Sequence, residues 1–85
     1  GEGVDKDMNL AFEWYKKAAE QGHVVAQYNI GDMYHRGQGV AQDDSEAHVW
    51  YKKSAEQGYE RAQEALHYLN FILNAQSLNA AQNDK

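Results

Sequence analysis

The sequence contains no cysteine and no proline. Without cysteine there can be no disulfide framework, thiolate zinc site, iron–sulfur cluster or cysteine nucleophile. Seven glycines without proline, with 42% hydrophobic and 25% charged residues in 85, exclude a collagen and a disordered tail and leave one small globular domain. Basic residues are scarce: eight Lys and Arg against thirteen Asp and Glu give a net charge of −5. Such a chain repels phosphate backbones and anionic headgroups, so nucleic acid and membrane surfaces are not expected partners. Long apolar runs are missing too, none exceeding three residues (Phe71–Leu73), which argues against membrane insertion. The opening Gly1-Glu2 carries no initiator Met and no basic patch before an apolar stretch, so the chain is expected to be a processed protein or an excised piece of a longer one.

What is present is repetition. Shifted by 36 residues, Gly1-Glu-Gly-Val4 falls on Gly37-Gln-Gly-Val40, and Asp7 and Ala11 fall on Asp43 and Ala47. Trp14-Tyr-Lys-Lys17 falls on Trp50-Tyr-Lys-Lys53, Ala19-Glu-Gln-Gly22 on Ala55-Glu-Gln-Gly58, and Ala26-Gln27 on Ala62-Gln63. Fifteen of 27 aligned positions are identical, which identifies a tandem repeat. Ala11, Trp14, Tyr15, Ala18 and Ala19 have the spacing of one buried helical stripe, repeated by Ala47, Trp50, Tyr51, Ser54 and Ala55. Asp7 and Asp43 are expected as N-caps, the latter in a capping box with Glu46, and Gly22 and Gly58 as left-handed stops. Between the stripes lies a helix with Ala26, Ile30, Met33 and Tyr34 on one side. A fourth follows with Ala62, Leu66, Leu69 and Leu73 inward. The expected fold class is all-α, an α/α solenoid fragment of four antiparallel helices.

Ala26-Gln-Tyr-Asn-Ile-Gly-Asp-Met-Tyr34, Gly37-Gln-Gly-Val40 and Trp50-Tyr-Lys-Lys-Ser-Ala-Glu-Gln-Gly58 together resemble the Sel-one-like repeat, a relative of the tetratricopeptide repeat. The resemblance covers residues 1–69. It implies a right-handed superhelix of helix pairs that serves as a non-enzymatic scaffold for protein contacts. On that pattern residues 1–74 form the repeat domain, with second-type helices at 7–22 and 43–58, a first-type helix at 24–36 and a capping helix at 60–74. His67 and Asn70 replace the Gly31 and Tyr34 of the pattern, so the last helix is expected to bar another pair from docking. Residues 75–85 form an Asn- and Gln-rich polar tail expected to fray or to be weakly helical. No first-type helix precedes residue 7, so an apolar edge near Leu10 and Phe12 is expected to be exposed and to promote homodimer formation.

Candidate chemistry is sparse. No two of His23, His35, His48 and His67 stand three or four apart, and His35–Asp32 and His67–Glu64 offer two-ligand pairs only, so no metal site is expected. Ser45, Ser54 and Ser77 lack a local base, Asp43-Asp44 is explained by helix capping, and Gly37-Gln-Gly39 lacks the rest of a phosphate loop. Neither catalysis nor a cofactor is expected. Lys16-Lys17 and Lys52-Lys53 read as a solvated face with i,i+4 partners such as Glu13–Lys17.

The remaining candidate is the concave face of the first-type helices. Opposite the Ala26/Ile30/Tyr34 stripe stand Val25, Tyr28, Asp32, His35 and Arg36, and the 36-residue shift adds Arg61, Glu64, Tyr68 and Phe71. Aromatic and Arg residues dominate interface energetics, and this mixture suits a partner's extended peptide or amphipathic helix. Loss of Tyr28, Asp32 and Tyr68 is expected to abolish binding with little loss of stability. Two alternatives stay open: a structural spacer that self-associates or packs on neighbouring repeats, and a small-molecule or metal-binding domain built on the His and acidic residues.

Overall fold

The computed structural model describes the backbone of residues 2–83 and the side chains of residues 7–76. Four helices follow one another: α1 (Glu2–Glu20), α2 (Val24–Arg36), α3 (Asp44–Glu56) and α4 (Glu60–Asn83), with no strand among the described residues. The main contacts run between helices adjacent in sequence, α1 with α2, α2 with α3 and α3 with α4. The result is a slab of 45 × 35 × 16 Å, little thicker than one helix with its side chains, which is how a row of helices packs.

The repeated Ala-Glu-Gln-Gly makes the same stop twice. His23 N–H donates to the Ala18 carbonyl and Gly22 N–H to that of Ala19, and Tyr59 and Gly58 do likewise to Ser54 and Ala55. Both are Schellman closures with glycine in the left-handed region. The recurring Gln of Ala26-Gln27 and Ala62-Gln63 has a use the spacing left unassigned. Gln27 Nε2 donates to the Ala19 carbonyl and Gln63 Nε2 to that of Ala55, each at 3.2 Å, tying a helix start to the preceding helix end. Across 30 residues, the Ser54 hydroxyl donates to the Val24 carbonyl (2.8 Å) and Gln57 Nε2 to Gln27 Oε1 (2.7 Å). Ser54 and Gln27 are buried, and these bonds meet the polar cost of that burial.

Asp43 caps α3 as expected, accepting from the backbone N–H groups of Ser45 (3.0 Å) and Glu46 (3.2 Å). The reciprocal half of the capping box is replaced, because Asp43 N–H donates to the Tyr34 carbonyl at 2.9 Å and so anchors the loop to α2. Asp43→Ala should lower stability by about 1 kcal/mol, read as a fall in the urea midpoint; an unchanged midpoint would show that the cap contributes nothing.

Burial corrects the first copy of the stripe. Ala47, Trp50, Tyr51, Ser54 and Ala55 are all buried, but Trp14 is 72% exposed and Tyr15 41%. The motif is the same and the neighbours differ: Trp50 joins Phe12, Ala19, Ala26, Ile30 and Met33 of α1 and α2 in one core, and no described helix covers Trp14. Phe12, expected on the exposed edge, is buried with its ring edge-on to Tyr34 at 5.4 Å; Leu10 is exposed as expected. The second Lys of each pair lies over the Trp three residues earlier, Lys17 over Trp14 at 5.9 Å and Lys53 over Trp50 at 5.3 Å. Cation–π contact rather than an i,i+4 ion pair therefore explains that recurrence.

Two boundaries also move. α1 starts at Glu2 and leaves Asp7 inside the helix instead of at its cap. The tight turn at Gly37–Val40 is held by contact with α1, where Gly39 rests on the Met8 carbonyl, and the first copy has no such support among the described residues. At the other end α4 runs on to Asn83, so of the two expectations for residues 75–85, fraying or weak helix, the backbone takes the helical one through residue 83. From residue 59 onward the chain has neither Gly nor Pro, and Asn74 is not followed by the glycine that stops α1 and α3.

Candidate functional site

α2 and α4 stand on either side of α3, and the distance between α2 and α3 is set by Gly31. A Cβ there would lie 2.7 Å from Cδ1 of Tyr51, so the buried Tyr51 ring packs directly on the α2 backbone. Its other neighbour is Tyr28, with ring centroids 5.8 Å apart, and Tyr28 in turn meets Tyr59 edge-on at 5.6 Å. A groove of about 370 Å³ opens above this aromatic floor. Tyr28, Asp32, His35 and Arg36 of α2 form one wall, Ala65, Tyr68 and Leu69 of α4 the other, and Tyr51 the base.

Polar order in the groove centres on Asp32. Its Oδ1 accepts from the Tyr51 hydroxyl (3.2 Å) and from Arg36 Nε (3.0 Å). Burial, and then the neighbouring Asp32 carboxylate, push the Tyr51 phenol well above its ordinary pKa. The phenol therefore stays protonated at neutral pH and donates to Asp32. The Arg36 guanidinium is raised by its hydrogen bond to Asp32 and that carboxylate's charge, and its side chain is 61% exposed. His35 turns to a different acid from the one the sequence offered: its Nδ1 lies 2.7 Å from Asp44 Oδ1, joining the last turn of α2 to the first turn of α3. The negative Asp44 in the first turn of α3 suits that helix's dipole. His23 is also engaged, its Nδ1 accepting from Ala26 N–H at the start of α2.

Of the nine candidates, Tyr28, Asp32, His35, Arg36 and Tyr68 come together, whereas Val25, Arg61, Glu64 and Phe71 do not line the groove. Val25 and Arg61 sit about one turn below Tyr28 and Ala65, and Glu64 and Phe71 lie roughly 100–120° round α4 from Ala65. Shifting a face by one repeat yields a parallel face, but a groove is closed by surfaces that look toward each other. That is why Ala65 and Leu69 were missed. Tyr51 was placed in the packing stripe, and it packs there while its hydroxyl serves the groove. Tyr28 and Asp32 are half-buried supports of Tyr51 and Arg36, so their loss is not the harmless change the sequence led us to expect.

Elsewhere, Glu64 borders a shallow depression with Glu60, Gln63 and His67. Among the described residues no group of three or more His, Asp or Glu could hold a metal ion. No helix among them is long and apolar enough to cross a membrane.

A family model for the Sel1 repeat matches residues 1–23 and 24–59. The fold is similar to the crystal structure of a Sel1 repeat protein from Oxalobacter formigenes (TM-score 0.70, 44% identity), over 72% of this chain and 25% of that one. It is similar also to a protective antigen present in uropathogenic Escherichia coli strains that displays an SLR fold (TM-score 0.72, 39% identity), over 73% of this chain and 13% of the antigen. The chain thus spans a quarter or less of the length of these two relatives. No curated protein matches it. Sel1 repeat proteins are typically non-enzymatic scaffolds for protein–protein interaction, and by its repeats, its helices and these likenesses the chain belongs to the Sel1 repeat family.

Proposed function

We propose that this chain is a non-catalytic scaffold that holds a peptide or helix of a protein partner in the groove between α2 and α4. The observation that carries the reading is Tyr68, 60% exposed beside the exposed Arg36, above a floor locked by Tyr51, Tyr28 and Asp32. Large aromatic and guanidinium groups on a rigid support give contact area at low entropic cost. The test is affinity capture with the wild type beside a Tyr68→Ala, Arg36→Ala variant. Both side chains are mainly solvent-exposed, so the variant should melt close to the wild type. A protein held by the wild type and lost from the variant is the expected result; the same captured set from both would refute the groove as the binding site.

A second reading has its own observation. Leu10, Trp14 and Tyr15 of α1 are 53%, 72% and 41% exposed, a concentration of large apolar side chains on one short stretch. Patches of this kind mark association surfaces, here for a second copy of the chain. Trp14→Ser should then lower the weight-average mass measured by sedimentation at high concentration; a wild type that stays monomeric throughout would dismiss this surface.

A further inference from the structure

From the groove we infer the chemistry of its occupant: a peptide segment with an Asp or Glu side chain three or four positions from an apolar or aromatic residue, the carboxylate taken by Arg36. This rests on the groove reading above and adds the partner's recognition feature. Guanidinium presents five N–H groups, and in Arg36 only the Nε–H is engaged, by Asp32 Oδ1. Among the described residues, nothing accepts from the four N–H groups of its two Nη atoms. The edge formed by those atoms is one that can bind a carboxylate in the two-bond, fork-to-fork manner.

Asp32 does not satisfy that demand in advance. Its bonded oxygen already serves two donors, Tyr51 and Arg36 Nε, which fix the guanidinium from the side and leave its end free. An anchored guanidinium loses less freedom when an anion arrives than a mobile one does. Other charge in the groove is accounted for, since His35 is committed to Asp44. The unengaged Nη donors of Arg36, beyond the one bond it makes to Asp32, therefore call for a further carboxylate acceptor at that end, while Tyr28, Tyr68 and Leu69 call for an apolar group below it. Tyr28 and Arg36 are eight residues apart on α2, about 12 Å along its axis. Extended chain covers that in about three or four residues, which sets the spacing of the two features.

A library of random twelve-residue segments, each flanked at both ends by fixed carrier sequence, tests this. It is selected against the intact chain, and selected peptides are then titrated by fluorescence anisotropy against the wild type, Arg36→Gln and Tyr68→Ala. Circular dichroism verifies that each variant is folded. The expected peptides carry Asp or Glu three or four positions from an apolar residue. Arg36→Gln should weaken them about 10- to 100-fold, as removal of a charged hydrogen-bond pair does. Replacing their acidic residue by its amide should weaken wild-type binding similarly and Arg36→Gln binding little. Peptides that lack an acid and ignore Arg36→Gln, yet are lost with Tyr68→Ala, would overturn the carboxylate and leave the groove standing. Peptides indifferent to both variants, or no selected peptide at all, would overturn the groove with it. Binding only by peptides with a free C-terminus would refute the side-chain carboxylate.

Discussion

Trp50→Ala should cost about 3–5 kcal/mol, whereas Trp14→Ala, in an identical Trp-Tyr-Lys-Lys context, should change stability by no more than about 0.5 kcal/mol. Trp50 is 9% exposed among Phe12, Ala19, Ala26, Ile30 and Met33, with the Lys53 ammonium over its ring. Truncation there leaves a cavity lined by residues of two helices, α1 and α2, and frees Lys53 from its ring. Trp14 stands 72% in solvent with one Lys contact at 5.9 Å. For a domain of this size the Trp50 loss is a large part of the total, which runs at about 0.05–0.15 kcal/mol per residue. Urea unfolding followed by helical circular dichroism reads both variants. Equal losses at the two sites would mean that α1 is covered at Trp14 as α3 is at Trp50.

Gly39→Ala should be nearly as damaging. Gly39 sits at φ +73°, where an L side chain costs roughly 1–2 kcal/mol. A Cβ there would also fall 2.3 Å from the carbonyl oxygen of Met8 and 2.7 Å from its carbon. Those atoms are helix backbone and cannot swing aside, so α1 must move as a body, at a cost of about 1–3 kcal/mol typical of overpacking. The combined loss of about 2–5 kcal/mol should appear as a lower melting temperature. A stability equal to that of the wild type would show that α1 does not bear on the turn. Gly37 makes the contrast within the same loop: its Cβ would meet the Gln42 side chain at 3.1 Å, so Gly37→Ala bears mainly the conformational cost.

Local signals in the sequence led to the right local structures. The Ala-Glu-Gln-Gly stops and the Asp43 cap each depend on residues within a few positions, and both are present in the structure. The readings that changed depended on what stands next to a segment. Trp14 and Trp50 cannot be told apart by their own motifs, and Phe12 is buried because α2 and Trp50 are placed against it. Asp7 reads as a cap by analogy with Asp43, but the turn that precedes Asp43 is maintained by α1. The groove was half legible for the same reason. Tyr28, Asp32, His35 and Arg36 are spaced for one face of one helix, while Ala65 and Leu69 join it only because α3 carries α4 round to face them.

The slab is held mainly by contacts between successive helices, so each joint can bend with little resistance from the others. An occupant of the groove would grip α2 and α4 together and bridge the two joints on either side of α3. It would act as a brace, fixing the curvature of the strip at that point in the way a splint fixes a finger. Whatever is attached at either end of the four helices would then feel the presence of the guest as a change in stiffness and direction, without any residue outside the groove changing its contacts.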